Sequence, residues 1–318
     1  MKAKQIRQIT DGSIVVAIYG LIFLLSRFMG GQLEYSVGFL MPLPLAIYAF
    51  KYDLKTSVIP FVAALVVSLL LSVNPLNVLV FNLPYLFIGS LLGGLLIKKE
   101  IKPIYSILII ALITAVTEVL GTIVLSKLLG IENILVDIQN IVFKIEEVFG
   151  VNSGDFVIIQ ALLEGMIPSI IVIVSLMNSL VTYLIFILLA SRIFKCKFNN
   201  KVIEIFSLNN MIPRWMSIIY ILVVIFSTVS LFLFDKSEGV LRVIFIVLIN
   251  MSLIVGAIYL YFGIRVSSLY IRYLNKKWLV LIEFLLVLLV SPFFVILGLL
   301  DNFFSLQTKI FNKISNHS

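Results

Sequence analysis

Residues 98–126 read KKEIKPIYSILIIALITAVTEVLGTIVLS. Lysines crowd the start, and from Pro103 onward the stretch holds a single charge, Glu118. A helix that crosses a bilayer takes about 20 mainly apolar residues. Lys and Arg gather at its cytoplasmic end. The same pattern recurs along the chain, so the stretch is one of a set. Residues 12–29, 36–50, 56–73, 78–97, 103–126, 160–191, 215–234, 240–263 and 278–300 are all apolar runs separated by short polar segments. The expected fold is all-α, a polytopic transmembrane helical bundle of 8–9 spans.

Composition points the same way. The 318 residues are 61% hydrophobic and 13% charged, with mean hydropathy +1.17. Soluble domains carry roughly 25% charged residues, and a large core does not remove the need for polar cover on a wet surface. The net charge of +8 and pI near 9.4 suit nucleic-acid binding less well than cytoplasmic loops, because the basic residues lie between apolar runs. No nucleic-acid partner is expected. Cys196 is the single cysteine and His317 the single histidine. Neither an internal disulfide nor a thiol or histidine metal site is therefore expected, and no cofactor is implied. The opening MKAKQIRQITDG leads into an apolar run that reads as a first retained span rather than a signal peptide.

The distribution of charge sets an orientation. With the amino terminus cytoplasmic, the inside segments hold Lys2, Lys4 and Arg7, then Lys51 and Lys55, then Lys98, Lys99 and Lys102. The later inside segments run from Arg192 to Arg214 and from Arg265 to Lys277. Glu132, Asp137, Glu146, Glu147, Asp155, Asp235 and Glu238 fall outside. Pro292 interrupts the ninth run, which leaves the side of the carboxyl terminus open. In the outer segment, Ile134, Ile138, Ile141, Ile145 and their neighbours recur at helical spacing. They predict an amphipathic helix over 130–150 on the outer membrane face. The inner segment 192–214 is basic with interleaved Phe and Ile, and suits an anionic leaflet or a docking partner.

Ionisable groups within spans are the candidates for function. Glu118 shares a face with Thr114, Gly121 and Thr122 near the middle of its span. Ionised and unpaired in hydrocarbon it would cost several kcal/mol, so it is protonated, hydrogen-bonded or facing a wet cavity. The alternatives are a neutral carboxyl bonded across a helix interface and a ligand or proton site. Glu164 and Gln160 lie one turn apart ahead of Pro168, near the outer end of the sixth span. Asn74 sits in the outer turn after span three, and Asn82 precedes Pro84 in span four. Glu283, close to Lys276 and Lys277, reads as an interfacial acid. Asn178 and Thr182 read as interhelical hydrogen-bond partners. Gly89 and Gly93 form a small-residue face suited to close helix contact. No phosphate-binding loop, HExxH, GxSxG or catalytic carboxylate pair is present, so no enzyme is expected.

Four stretches together resemble a known family: RQITDGSIVVAIYGLIFLLSRF (7–28), NMIPRW (210–215), YFGIRVSSLYIRYL (261–274) and ILGLLDNF (296–303). Their order and spacing are similar to those of the YybS-type family, multi-span membrane proteins of Gram-positive bacteria with a domain of unknown function. Its first six spans in turn resemble the substrate-capturing S component of energy-coupling-factor vitamin transporters. The resemblance implies an S-component-like bundle over 1–192 and an accessory part over 193–318, the basic inner loop plus two or three spans. It also implies a small molecule bound near the outer face. Docking on a coupling subunit would run through small residues of the first helix, here Ser13 and Ala17, although Ser13 departs from the usual Ala. The first functional expectation is a small-molecule binding or transport component using Glu118, Glu164, Asn74, Asn82 and Gln160. The alternative is a non-transporting scaffold or regulatory partner of another membrane protein, and an intramembrane enzyme is the third reading.

Overall fold

The computed structural model describes residues 3–31, 33, 37–129, 153–195, 213–233, 240–274 and 278–315. The amphipathic helix expected over 130–150 and most of the basic segment 192–214 lie outside them. The described elements are helices α1 (Ala3–Phe28), a 3₁₀ turn (Gly38–Leu40), α2 (Leu43–Lys51), α3 (Val58–Leu71) and α4 (Pro75–Ile97). They continue as α5 (Pro103–Leu129), α6 (Ser153–Phe194), α7 (Arg214–Leu233), α8 (Val240–Tyr273), α9 (Leu279–Leu289), α10 (Ser291–Phe304) and α11 (Leu306–Ser315). No strand occurs among the described residues. Among the described residues five helices are long and apolar enough to cross a membrane: α1, α4, Pro103–Val124 of α5, Gly165–Phe194 of α6 and Val240–Ile271 of α8. Shorter apolar helical stretches are Gly38–Lys51, Val58–Leu71, Arg214–Val229 and Ser291–Phe304.

The helices divide into two compact units, Met1–Asp137 with Val174–Ser207, and Ile138–Ile173 with Leu208–Ser318. In the first unit the shortest helix is the core. Leu45, Ala46 and Ala49 of α2 are wholly buried, and Leu43 and Tyr48 nearly so. A helix apolar and enclosed on all sides belongs at the centre of a bundle. One side of α2 joins Ile88, Leu92 and Leu96 of α4 and Tyr183, Phe186 and Ile187 of α6. The other joins Tyr19 and Phe23 of α1, Ala64 of α3 and Leu86 of α4.

Glycines set how closely these helices meet. A Cβ at Gly89 would collide with the Pro42 carbonyl, and one at Gly93 with that of Ala46. Small residues permit such approach in lipid, where packing replaces the hydrophobic effect as the force between helices. On α1, Gly12 faces Tyr48 and Pro60, and Gly20 faces Val67. At the far end of α1, Gly30 and Gly31 take φ of +66° and +89°, and the Gly31 N–H donates to the Ser26 carbonyl at 2.8 Å. That is a left-handed helix stop, which glycine adopts without strain.

Prolines change helix geometry without ending it. Pro42 and Pro44 lie at the start of α2, where helical amides lack intrahelical partners in any case, and a 3₁₀ turn takes the place of the preceding α-turn. Pro84 lies inside α4, directly after a widened π-turn at Val78–Asn82. Pro168 lies inside α6, which runs unbroken from Ser153 to Phe194. The repair comes from α8 within the second unit. Asn250 Nδ2 donates to the Gly165 carbonyl at 2.6 Å, and the Ser169 N–H donates to Asn250 Oδ1 at 2.9 Å. One side-chain amide thus substitutes for a rung of the α6 ladder.

The second unit otherwise centres on α8 and α10. A Cβ at Gly263 would strike the Phe294 carbonyl, and one at Gly298 that of Tyr259, so the two helices run antiparallel in backbone contact. The apolar run 278–300 is not one helix but two, α9 and α10, meeting at Val290 (φ −133°, ψ 48°) just before Pro292. Glu283, read from the sequence as an interfacial acid, is packed within the second unit. It is 6% exposed and accepts from Ser268 Oγ at 3.0 and 3.1 Å.

Overpacking a close helix contact costs about 1–3 kcal/mol, so Gly93→Ala should lower the thermal midpoint of the detergent-solubilised chain. An unchanged midpoint would show that α2 and α4 are not in backbone contact. Asn250→Leu should cost about 1–3 kcal/mol through the stranded Gly165 and Ser169 groups, and amide exchange at Ser169 should accelerate.

Candidate functional site

The sequence candidates separate into those the structure accounts for and those it leaves with unused chemistry. Asn74 caps the first turn of α4: its Oδ1 accepts from the Leu76 N–H at 3.1 Å, and its own N–H donates to Ser72 Oγ at 3.1 Å. That is ordinary helix-start chemistry. Gln160 and Glu164 lie on α6 in its second-unit stretch, and their side chains are outside the described set. Asn74, Asn82 and Glu118 belong to the first unit. The candidate site is therefore built there.

Asn82 closes the π-turn of α4 and is 4% exposed. Neither its Oδ1 nor its Nδ2 has a hydrogen-bond partner. Val78 and Leu86, one turn to either side, pack into the apolar core shared by α1, α2 and α3, so the amide points into that layer. Ser68, one turn past buried Ala64 on α3, is wholly buried and its hydroxyl is likewise unpartnered. Leaving a buried donor or acceptor unmade costs about 1–3 kcal/mol. A π-turn is itself a feature found often at functional sites.

Glu118 projects from α5 at intermediate burial beside buried Thr114 and Thr117. Its neighbours on the polar stripe are occupied locally: Thr114 Oγ1 donates to Ile110 O, Thr117 Oγ1 to Ile113 O and Thr122 Oγ1 to Glu118 O, each at 2.8 Å. The stripe therefore supplies Glu118 no hydroxyl donor. Tyr85 of α4 lies within electrostatic range of the carboxylate, and its ring and hydroxyl pack against Gly38. A Cβ at Gly121 would meet Phe81, which sets α5 against the Asn82 level of α4.

The broken start of α2 forms the adjoining wall. The Tyr19 hydroxyl donates to the Met41 carbonyl, and Thr182 Oγ1 of α6 donates to the Phe39 carbonyl at 2.9 Å. Backbone that leaves helical geometry at membrane depth is tolerated where side chains satisfy it, and these two hydroxyls do so. Tyr19, Tyr85 and Ser68 were not singled out in the sequence. A tyrosine in an apolar run carries no periodic signal, although each here places a polar tip on a broken or tightly packed helix.

At the opposite end of the first unit, Asp11 pairs with Lys51 and accepts from Tyr52, and Asp53 pairs with Lys98. Desolvation, then the hydrogen bond to Asp11, raises the Tyr52 phenol above its ordinary range. Ser13 and Ala17 are exposed, since α1 buries Gly12, Val15, Tyr19, Phe23 and Ser26. Ser13 Oγ donates to the Ile9 carbonyl at 3.0 Å. In the second unit, Asn302 donates to Ser217, which shares a 2.7 Å hydrogen bond with Tyr259. Asp301 accepts from the N–H and Nε2 of Gln307, both at 2.7 Å, joining α10 to α11 across Ser305. These polar groups are structural ties between helices.

Apolar helices long enough to span, close glycine packing and satisfied broken-helix carbonyls define an integral membrane protein. Residues 17–302 match the family described as "Predicted membrane protein (DUF2232)". The match covers most of the chain, which belongs to that family, a membrane protein family of unknown function. Neither the curated proteins nor the solved structures contain a match to this chain.

If the Tyr19 and Thr182 hydroxyls hold the α2 break, Tyr19→Phe and Thr182→Val should each destabilise the chain by about 1 kcal/mol. Thermal midpoints of the two single variants and the double variant test this. No loss in the double variant would show that the freed carbonyls have other partners.

Proposed function

We propose that this chain is a small-molecule binding or transport component whose ligand is held in the first unit at the π-turn of α4. The observation that carries the reading is Asn82, buried in an apolar layer with its amide donor and acceptor both unused. An internal amide of this kind is destabilising unless something else satisfies it, and a polar ligand does so. Glu118, which receives no hydroxyl from its own stripe, supplies the second anchor. The likeness to the substrate-capture subunit of an energy-coupling-factor transporter is supported by the six helices of the first unit, α1 to α5 and the later part of α6. In this reading the chain crosses the cell membrane eight or nine times with its amino terminus cytoplasmic. It performs no covalent chemistry. Lys4, Arg7, Lys51, Lys55, Lys98, Lys99 and Lys102 stand at one end of the first-unit helices, which supports that orientation.

The competing reading is a scaffold that docks another membrane protein through α1 and the basic segment after α6. The exposure of Ser13 and Ala17 suits helix docking in either reading.

Asn82→Leu separates the two. It removes the unsatisfied amide at nearly constant volume, so the ligand-free chain should gain about 1–3 kcal/mol of stability. Native mass spectrometry should meanwhile show a small molecule retained by the wild-type chain and lost from Asn82→Leu and Glu118→Gln. If the wild-type chain retains no small molecule, the scaffold reading stands; if it retains one that neither variant changes, the ligand site is not at Asn82 and Glu118.

A further inference from the structure

A second concavity, distinct from the Asn82 region, opens between α1 and α3 where their amino-terminal halves run side by side. It has a volume of about 710 Å³. Its existence follows from side-chain size. Gly12 and Ser13 on α1 and Pro60 and Ala63 on α3 line it, and none is large enough to fill the valley between two parallel helices. The Tyr48 ring closes the floor, 3.6 Å from where a Gly12 Cβ would stand. Along its sides stand the exposed Ile9 and Ile59, at 57% and 79% exposure. The groove therefore opens sideways into the surroundings of the bundle, and in a bilayer those are acyl chains.

The two ends of the groove differ in chemistry. Toward Val16 it is apolar. Toward the chain start it carries Gln5, Gln8 and Thr56. Around that polar end the charge balance is positive. The nearby acids are engaged, Asp11 with Lys51 and Asp53 with Lys98. Lys4, one helical turn before Gln8, and Lys55, next to Thr56, are exposed and form no ion pair among the described residues. Arg7 adds a third exposed cation.

We propose that this groove holds one acyl chain of an anionic phospholipid, with the phosphate at the Gln5–Thr56 end between Lys4 and Lys55. The apolar wall takes the chain, the cations select the headgroup, and the sideways opening admits the lipid from its leaflet. Satisfied groups line the interior: Ser13 donates to Ile9, and the Tyr48 hydroxyl donates to the Gln8 carbonyl at 3.3 Å. A hydrocarbon tail there strands no donor.

The test is native mass spectrometry of the full-length chain, stripped of lipid in detergent. It is titrated separately with dioleoyl phosphatidylglycerol, dioleoyl phosphatidylcholine and glycerol phosphate. One phosphatidylglycerol should bind at concentrations where the other two leave the chain bare. Ser13→Phe, which fills the groove from an exposed position, should abolish that adduct. Lys4→Gln with Lys55→Gln should weaken phosphatidylglycerol by about fivefold per lysine removed while leaving phosphatidylcholine unchanged. Equal binding of the two lipids, or an undiminished adduct in either variant, would overturn the proposal. Glycerol phosphate binding as tightly as the lipid would also overturn it, since the groove would then be a soluble phosphate site.

Discussion

In hydrocarbon every backbone N–H and C=O must find a partner within the protein, and the rest of this structure follows from how that demand is met around α2. The helix is short, opens on two prolines, and yet occupies the centre of the first unit. A segment of that kind in lipid would strand carbonyls at depth. Here Tyr19 of α1 and Thr182 of α6 reach the Met41 and Phe39 carbonyls. The helices that supply these hydroxyls are thereby fixed against α2, and the glycine face of α4 closes the remaining side. The packing of the unit is a consequence of repairing one broken helix.

The second unit solves the same problem with different residues. At Pro168 the α6 ladder is completed by the Asn250 amide, and Gly263 and Gly298 bring α8 and α10 into backbone contact. In both units the polar side chains at depth serve mainly as substitutes for backbone partners, and glycines replace large apolar residues where helices cross most closely. This is the arrangement expected where lipid tails compete on equal terms with leucine for any apolar surface.

That economy explains what the sequence can and cannot reveal. Membrane character is legible because it is written in long uniform runs such as 103–126. Family membership is legible because four spaced motifs carry it. The division of labour among polar residues is not. Asn74, Asn82 and Asn250 look alike in the sequence, but one caps a helix, one is buried without a partner and one repairs a helix on another element. Which role falls to which depends on what lies opposite, a contact between residues as distant as Gly165 and Asn250. The continuity of α6 through Pro168 is hidden for the same reason, since its repair comes from α8. Glu283 reads as interfacial from the lysines just before it, and its contact with Ser268 depends on the α8–α9 hairpin bringing the two together.

The contrast among buried polar groups is also what singles out the candidate site. Thr114, Thr117 and Thr122 return their hydroxyls to the preceding turn, and Asp301, Asn302 and Ser217 knit helix to helix. Each of these is what a purely architectural role requires. Asn82 is different in kind. Among the described residues it is the one side-chain amide left unmade at both its donor and its acceptor, although the Ser68, Ser106 and Ser175 hydroxyls are buried without partners as well. A serine in an apolar helix can be tolerated by bonding its own backbone, whereas the longer amide of Asn82 does not do so here. What sets Asn82 apart from the buried, unpartnered serines is the larger cost of leaving two amide groups unmade, a cost that the proposed ligand would offset.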